Sequence, residues 1–145
     1  MSLSIPAVPS ATNRQERIAV ALRIGIVVMA LTTAAIHVSL GGMLFLLNAA
    51  GFAVLAAGMI VPGDFAARFR WAPRLGLAGF SAATIGGWVL FGARYEMGYL
   101  ATGIEVAIIA FLVVDLVQAY GSPLALTRRV IHDLTNPRSG APATA

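Results

Sequence analysis

Four long apolar stretches, separated by short polar or glycine-containing segments, dominate the pattern along this chain. They cover residues 18–40, 43–61, 75–91 and 99–120. A helix needs about 20 mostly apolar residues to cross the hydrocarbon core of a bilayer, and each stretch reaches or approaches that length. None of them alternates apolar and polar residues as a strand of a membrane barrel does. The pattern therefore predicts an all-α protein, an antiparallel four-helix transmembrane bundle.

The segments that flank the apolar stretches have a different composition. Residues 1–17 are rich in Ser, Pro and Ala and are predicted to be a disordered cytoplasmic tail. A cleaved signal peptide is the less favoured alternative, because this leader and the apolar run after it are both too long. In the second tail, residues 121–145, Ser122 and Pro123 are typical of a helix N-cap followed by N1. Residues 124–134 then predict a short amphipathic helix on the lipid headgroups.

Arginine placement predicts how the four spans are oriented. The chain has ten basic residues, all of them arginine. With four spans, nine of them fall on one side of the membrane and only Arg94 on the other. Because basic residues accumulate on the cytoplasmic side, both termini are predicted to be cytoplasmic, in the inner membrane of a bacterium. The nine are Arg14, Arg17, Arg23, Arg68, Arg70, Arg74, Arg128, Arg129 and Arg138.

Composition supports a lipid environment and excludes several kinds of site. Hydrophobic residues make up 59% of the chain and charged residues 11%, against about a quarter charged in soluble domains. The net charge is +4, and most of the arginines that carry it lie beside apolar stretches. This placement favours lipid headgroups as partners and not nucleic acid. The chain has no cysteine and only two histidines, which are far apart, so we expect no metal site and no cofactor.

The last span carries two acids, Glu105 and Asp115. An acid in the middle of a membrane helix costs roughly 2.5–3.5 kcal/mol of insertion free energy, so each needs a partner or a wet cavity. Arg23 in the first span lies at the same predicted depth as Asp115, which predicts a structural ion pair between these two residues. The alternative is that both side chains reach the cytoplasmic interface independently.

Polar residues near the opposite end of the spans predict a second grouping. His37, Asn48 and Glu105 lie at similar depth in three different spans, and Arg94 caps the third span nearby. In a four-helix bundle these side chains would converge on one polar pocket. Such a pocket would be either a hydrogen-bond network that pins the helices or a carboxyl that exchanges a proton. The structural alternative is favoured, because a few polar residues in a bundle require no transport role.

Small residues repeat at four-residue intervals in the second and third spans. Such stripes let helix backbones approach closely, which is how helices associate in lipid. Because the third span is also the least hydrophobic, we expect it at the packed centre. The stripes consist of Ala49, Ala53 and Ala57, and of Gly79, Ala83 and Gly87.

Residues 84–105, TIGGWVLFGARYEMGYLATGIE, contain a pattern seen elsewhere. It resembles small uncharacterised four-span integral membrane proteins of high-GC bacteria. The resemblance covers the third and fourth spans; it implies the topology and no activity. Small multidrug-resistance exporters are a poorer match, since their key glutamate lies in the first span. The residues that carry the resemblance are Thr84, Ile85, Trp88, Phe91, Gly92, Arg94, Gly98, Tyr99, Ile104 and Glu105.

No arrangement of residues in the sequence supports catalysis. A bis-histidine haem needs two intramembrane histidines, and the sequence has only one. It also has no glycine-rich loop of the kind that binds phosphate. We therefore expect a non-enzymatic accessory or structural subunit of a membrane assembly, with a membrane-protein partner or further copies of itself. The alternative is a small proton-linked transporter that uses the buried Glu105. A third hypothesis is a membrane enzyme or quinone-site subunit.

Overall fold

The computed structural model describes residues 11–136 of the chain. These residues form six α-helices and no strand, which confirms the predicted all-α class within this range. The helices are α1 (Ala11–Leu40), α2 (Met43–Ile60), α3 (Asp64–Arg68), α4 (Trp71–Phe91), α5 (Glu96–Tyr120) and α6 (Pro123–Thr135).

Four of these helices, α1, α2, α4 and α5, are long and apolar enough to cross a membrane. They correspond to the four predicted spans and indicate a multi-pass membrane protein. The short α3 lies in the segment between the second and third spans, where no helix is predicted from the sequence.

Helix α1 begins at Ala11, so it includes part of the segment predicted to be a disordered tail. Ala, Arg, Gln and Glu between Ala11 and Arg17 are good helix formers, which lets the helix extend beyond the apolar stretch. Residues 1–10 and 137–145, which hold the rest of the predicted tails, lie outside the described residues. Helix α6 has Ser122 at its N-cap, where the side chain accepts a hydrogen bond from the Ala125 backbone.

The turn between α1 and α2 depends on two glycines. Gly41 and Gly42 have φ angles of 70° and 82°. This left-handed region costs a residue with a Cβ roughly 1–2 kcal/mol, whereas glycine enters it freely. The reversal therefore needs very few residues, and it brings α2 directly alongside α1.

The four long helices contact each other in a ring. Helix α1 packs against α2 and α5, and α4 packs against the same two helices from the other side. Each long helix contributes a fully buried side chain to the shared core, namely Ile26, Phe52, Leu77 and Ile108. Helix α6 contacts the end of α5.

Helices α2 and α4 approach closely at Gly51. A Cβ added there would lie 2.4 Å from the ring of Phe80, and that ring packs edge-on against Phe52 at 5.0 Å between centroids. Phe52 limits the movement of the Phe80 ring. The ring can therefore occupy this position only while residue 51 lacks a side chain.

The prediction that the third span lies at the packed centre is wrong. Helix α4 has three buried residues, fewer than the four in α2, the five described in α1 and the six in α5. Its inward face carries Leu77 and Ser81, whereas the small residues of its stripe lie on the exposed face. Low hydropathy does not determine position here, because two of the glycines that lower the hydropathy of α4, Gly79 and Gly87, lie on its exposed face. The exposed stripe is formed by Gly79, Ala83 and Gly87.

Candidate functional site

The carboxyl group of Glu105 lies at the meeting point of three helices. Glu105 is on α5 and is only 2% exposed. The Thr84 hydroxyl on α4 donates a hydrogen bond of 2.8 Å to Oε2, and the Thr33 hydroxyl on α1 donates one of 3.3 Å to Oε1. Each of the two carboxyl oxygens thus accepts a hydrogen bond, one from α4 and one from α1. Such hydrogen bonds offset the cost of burying a polar group in an apolar interior.

His37 adds a second titratable group to this cluster. Its Nε2 lies 3.9 Å from Oε1 of Glu105. Its Nδ1 lies 2.8 Å from the Thr33 carbonyl oxygen, which can only accept, so Nδ1 must carry the hydrogen. The ring is enclosed by Phe45 and Phe52 on α2, at 6.0 and 5.7 Å between centroids.

The Nδ1 hydrogen decides how many protons the pair of His37 and Glu105 holds. In the neutral ring with Nδ1 protonated, Nε2 has a lone pair that faces Oε1. A carboxylate opposite a lone pair is repulsive, so a proton between Nε2 and Oε1 removes the conflict. With this proton on either residue the pair is neutral overall, which suits its burial. Because Nε2 and Oε1 are 3.9 Å apart, too far for a hydrogen bond, such a proton would belong to one residue or the other.

The Thr84 hydroxyl can adapt to both forms of the carboxyl. Besides Oε2 of Glu105, its oxygen lies 2.9 Å from the Ser81 carbonyl and 3.2 Å from the Phe80 carbonyl. It has one hydrogen for these three acceptors. When Glu105 is ionised, the hydrogen points to the carboxylate. When Glu105 is protonated, Thr84 can accept from it and donate to its own helix backbone.

The structure brings together only part of the predicted polar pocket. His37 and Glu105 meet, whereas Asn48 is half-buried on α2 and makes no hydrogen bond with any described residue. Arg94 stacks over Trp88 at 4.5 Å and donates to the Val89 carbonyl at 2.7 Å. Arg94 lies away from Glu105 because the last carbonyls of α4 have no partner within the helix and attract it.

Two hydroxyl residues complete the site, and sequence reasoning missed their role. Thr33 lies one helical turn before His37, so the two share a face of α1. Thr84 belongs to the segment that carries the family resemblance, but its pairing with Glu105 requires the positions of two helices relative to each other. The four-residue spacing of Thr33 and His37 is a signal that could have identified the first of them.

A second buried acid is paired differently from the prediction. Asp115 accepts a hydrogen bond of 2.5 Å from Nε of Arg74, and both residues are almost fully buried. Arg74 also donates to the Arg70 carbonyl at 2.8 Å. The predicted partner, Arg23, forms no ion pair with Asp115. The prediction placed Arg74 in a loop, but α4 begins at Trp71 and carries it into the helix beside α5.

A third acid, Asp133, fixes α6 to the start of α4. Its carboxylate accepts from Arg129 Nε at 2.8 Å and from Trp71 Nε1 at 3.3 Å, and His132 Nδ1 lies 3.5 Å away. Arg68 lies 3.8 Å from the same carboxylate and donates to the Asp133 carbonyl at 2.5 Å. Burial by itself raises the pKa of Asp133, but the hydrogen bond and charge of Arg129 outweigh it and hold the pKa below its usual range.

Comparison with known proteins gives no identification. No protein-family model, curated protein or solved structure matches this chain. Within residues 11–136 there is also no group of three or more His, Cys, Asp or Glu residues that could hold a metal ion. The site is therefore described by its own geometry, as a buried carboxyl group that faces a histidine and accepts hydrogen bonds from two threonine hydroxyl groups.

Removing one partner of the buried ion pair should destabilise the protein strongly. Asp115→Leu leaves the Arg74 guanidinium buried without its acceptor, which typically costs about 3–5 kcal/mol. The double variant Arg74→Leu with Asp115→Leu removes both charges and should regain most of the loss. Thermal unfolding in detergent measures the difference. A double variant that is no more stable than Asp115→Leu would contradict the pairing.

Acid should release α6 from α4. Because the pKa of Asp133 is lowered in the folded protein, its contribution is complete above the ordinary aspartate value, near 4, and is lost as pH falls through the folded value. In a Trp88→Phe background, Trp71 fluorescence should stay constant from pH 7 to about 5 and change below the ordinary aspartate value.

The matched comparison for this pH effect is made at neutral pH. Asp133→Asn should show the acid-form fluorescence of Trp71 already at pH 7, because it lacks the carboxylate. Asp64→Asn, an exposed position at the start of α3, should behave like the parent. If Asp133→Asn and the parent gave the same emission at pH 7, the carboxylate would not hold α6 in place.

Proposed function

We propose that this protein is a small non-enzymatic integral membrane protein, an antiparallel four-helix bundle that serves as an accessory or structural subunit of a larger membrane assembly. The observation that carries this proposal is the exposed face of α4. This helix has the lowest mean hydropathy of the four spans and also the fewest buried residues, three. A helix so placed would expose to lipid a surface that is less apolar than the surface of any other span.

The chemistry of that face supports contact with another membrane helix. Gly79, Ala83 and Gly87 are exposed at four-residue intervals, and a Cβ built on Gly79 or Gly87 meets nothing within 4 Å. A face of small residues lets a second helix approach closely, and close packing is what holds helices together in lipid. Coverage by a partner would also remove a weakly apolar surface from hydrocarbon.

The distribution of arginines supports an orientation with both termini in the cytoplasm. Four spans place the start of α1, the segment between α2 and α4, and α6 on one side. Nine of ten arginines belong to these parts of the chain or lie directly beside them, with Arg74 in the first turn of α4 and Arg138 after α6, and the segment between α4 and α5 holds the tenth, Arg94. The positive-inside rule then assigns the arginine-rich side to the cytoplasm, as expected in a bacterial inner membrane.

The geometry around Glu105 supports a structural role for this residue. Its two oxygens accept from Thr33 and Thr84, so one carboxyl connects α1, α4 and α5. A buried polar group that is fully bonded on several helices fixes their relative register. Under this proposal the cluster holds the bundle together while the α4 face meets the partner.

A second candidate, a proton-linked carrier, is favoured by one specific observation. His37 Nε2 and Glu105 Oε1 face each other at 3.9 Å, and the Thr84 hydroxyl can bond to both forms of the carboxyl. A carrier that couples to protons needs a buried group with two such states. The structural role is the preferred proposal, because Glu105 is enclosed by its own partners.

The assembly role is tested by filling the exposed face of α4. Ala83→Phe should abolish association, because its ring prevents close approach of a second helix. Val54→Phe, at a strongly exposed position of α2, is the matched control and should leave association intact. Extraction in mild detergent followed by mass measurement of the complex provides the readout. A wild-type protein that is monomeric, or that forms complexes of its own copies only, would contradict the accessory role.

The carrier alternative is tested at Glu105. We expect proteoliposomes with wild type and with Glu105→Gln to dissipate a pH gradient at the same rate, because the carboxyl is structural. Glu105→Leu should lower thermal stability in detergent by about 1–3 kcal/mol, because it removes the acceptor through which Thr33 and Thr84 join α1 and α4 to α5. A proton flux in wild type that Glu105→Gln removes at unchanged folded yield would overturn the structural role in favour of transport.

A further inference from the structure

Three arginines and one acid form a group where α1, α4 and α5 meet, at what we call the arginine-rich end. Arg23 of α1 interacts electrostatically with Arg70 and Arg74 of the α4 start and with Asp115 of α5. Arginine keeps its charge at every physiological pH. Three positive charges against one negative charge leave two positive charges without a counter-ion in this group.

The one carboxylate in this group is already used. Asp115 accepts a hydrogen bond of 2.5 Å from Arg74 and none from Arg23. The Nε of Arg23 is shielded from solvent and has no hydrogen-bond partner among the described residues. A buried donor on a charged group that lacks an acceptor is costly, so the site is complete only when an acceptor is supplied from outside.

The site is open to a ligand from outside the protein. Arg23 as a whole is half-buried, and Arg70 is exposed. Next to Arg23 and one turn deeper on α1, the apolar side chains of Ile24 and Val28 are also exposed, 58% and 56%. A ligand bound here would therefore have an anionic part beside the guanidinium groups and an apolar part along α1.

The group that best fits several guanidinium donors is a phosphate. Its oxygens accept forked hydrogen bonds from arginine, and its charge would offset the excess at this end. We propose that Arg23 and Arg70 bind the phosphate of an anionic phospholipid headgroup, with its acyl chains against Ile24 and Val28. This inference rests on the proposed membrane location and places the lipid on the arginine-rich side of the bilayer.

Thermal unfolding of the detergent-purified full chain tests this proposal. Phosphatidylglycerol should raise the unfolding temperature by a few degrees more than phosphatidylcholine does. Inorganic phosphate at the same concentration should have little effect, since it lacks the apolar part. In Arg23→Gln the additional shift should disappear, and in Arg23→Lys it should be reduced, because lysine keeps the charge without the forked donors. Arg94→Gln, at the opposite end of α4, should respond like wild type.

Each other outcome has a defined meaning. An equal response of Arg23→Gln and wild type to phosphatidylglycerol would overturn the site, as would a lack of any lipid preference in wild type. An equal shift with inorganic phosphate would replace the lipid by a free anion. If Arg23→Gln does not fold, Arg70→Gln at the exposed edge should show the reduced response. Failure of wild type to incorporate into vesicles of either lipid would instead refute the membrane location, independently of the headgroup site.

Discussion

A polar side chain buried among apolar helices must find its partner on a neighbouring helix, because neither lipid nor a packed interior offers water in its place. In this protein α5 carries two such side chains. Glu105 is bonded by Thr33 of α1 and Thr84 of α4, and Asp115 is bonded by Arg74 of α4. The two acids lie far apart along α5, so together they set both the depth and the rotation of α4 against it.

Helix α2 is held by a different kind of contact. Among the described residues it has no ionisable side chain, and it joins its neighbours through rings and close backbone approach. Phe52 packs against His37 of α1 and Phe80 of α4, and Gly51 makes room for the second of these rings. Phe52 therefore closes the apolar side of the histidine that faces Glu105. The steric and the polar contacts meet at the same place.

The sequence predicts the helices well and their contacts only in part. Run lengths of apolar residues are enough to locate α1, α2, α4 and α5, since length and hydropathy are properties of one segment. Which side chains pair depends on two segments together. A match in depth does not determine how each helix is rotated about its own axis. Arg23 and Asp115 have matching depth, but Arg74 faces Asp115 once α4 starts early enough to include it. Thr33 and Thr84 escape notice because a hydroxyl in an apolar helix usually bonds to its own backbone.

The two polar sites differ in what they leave unsatisfied, and this difference bears on function. Around Glu105, each carboxyl oxygen has a donor and the pair with His37 is neutral when it holds one proton. At the arginine-rich end, the single carboxylate is taken by Arg74, and Arg23 keeps a donor without an acceptor. A satisfied cluster explains why helices stay together, whereas an unsatisfied one requires something from outside the chain. External ligands are therefore expected first at the arginine-rich end. The Glu105 cluster is best understood as a structural contact that holds together the helices from which the arginine-rich end is built.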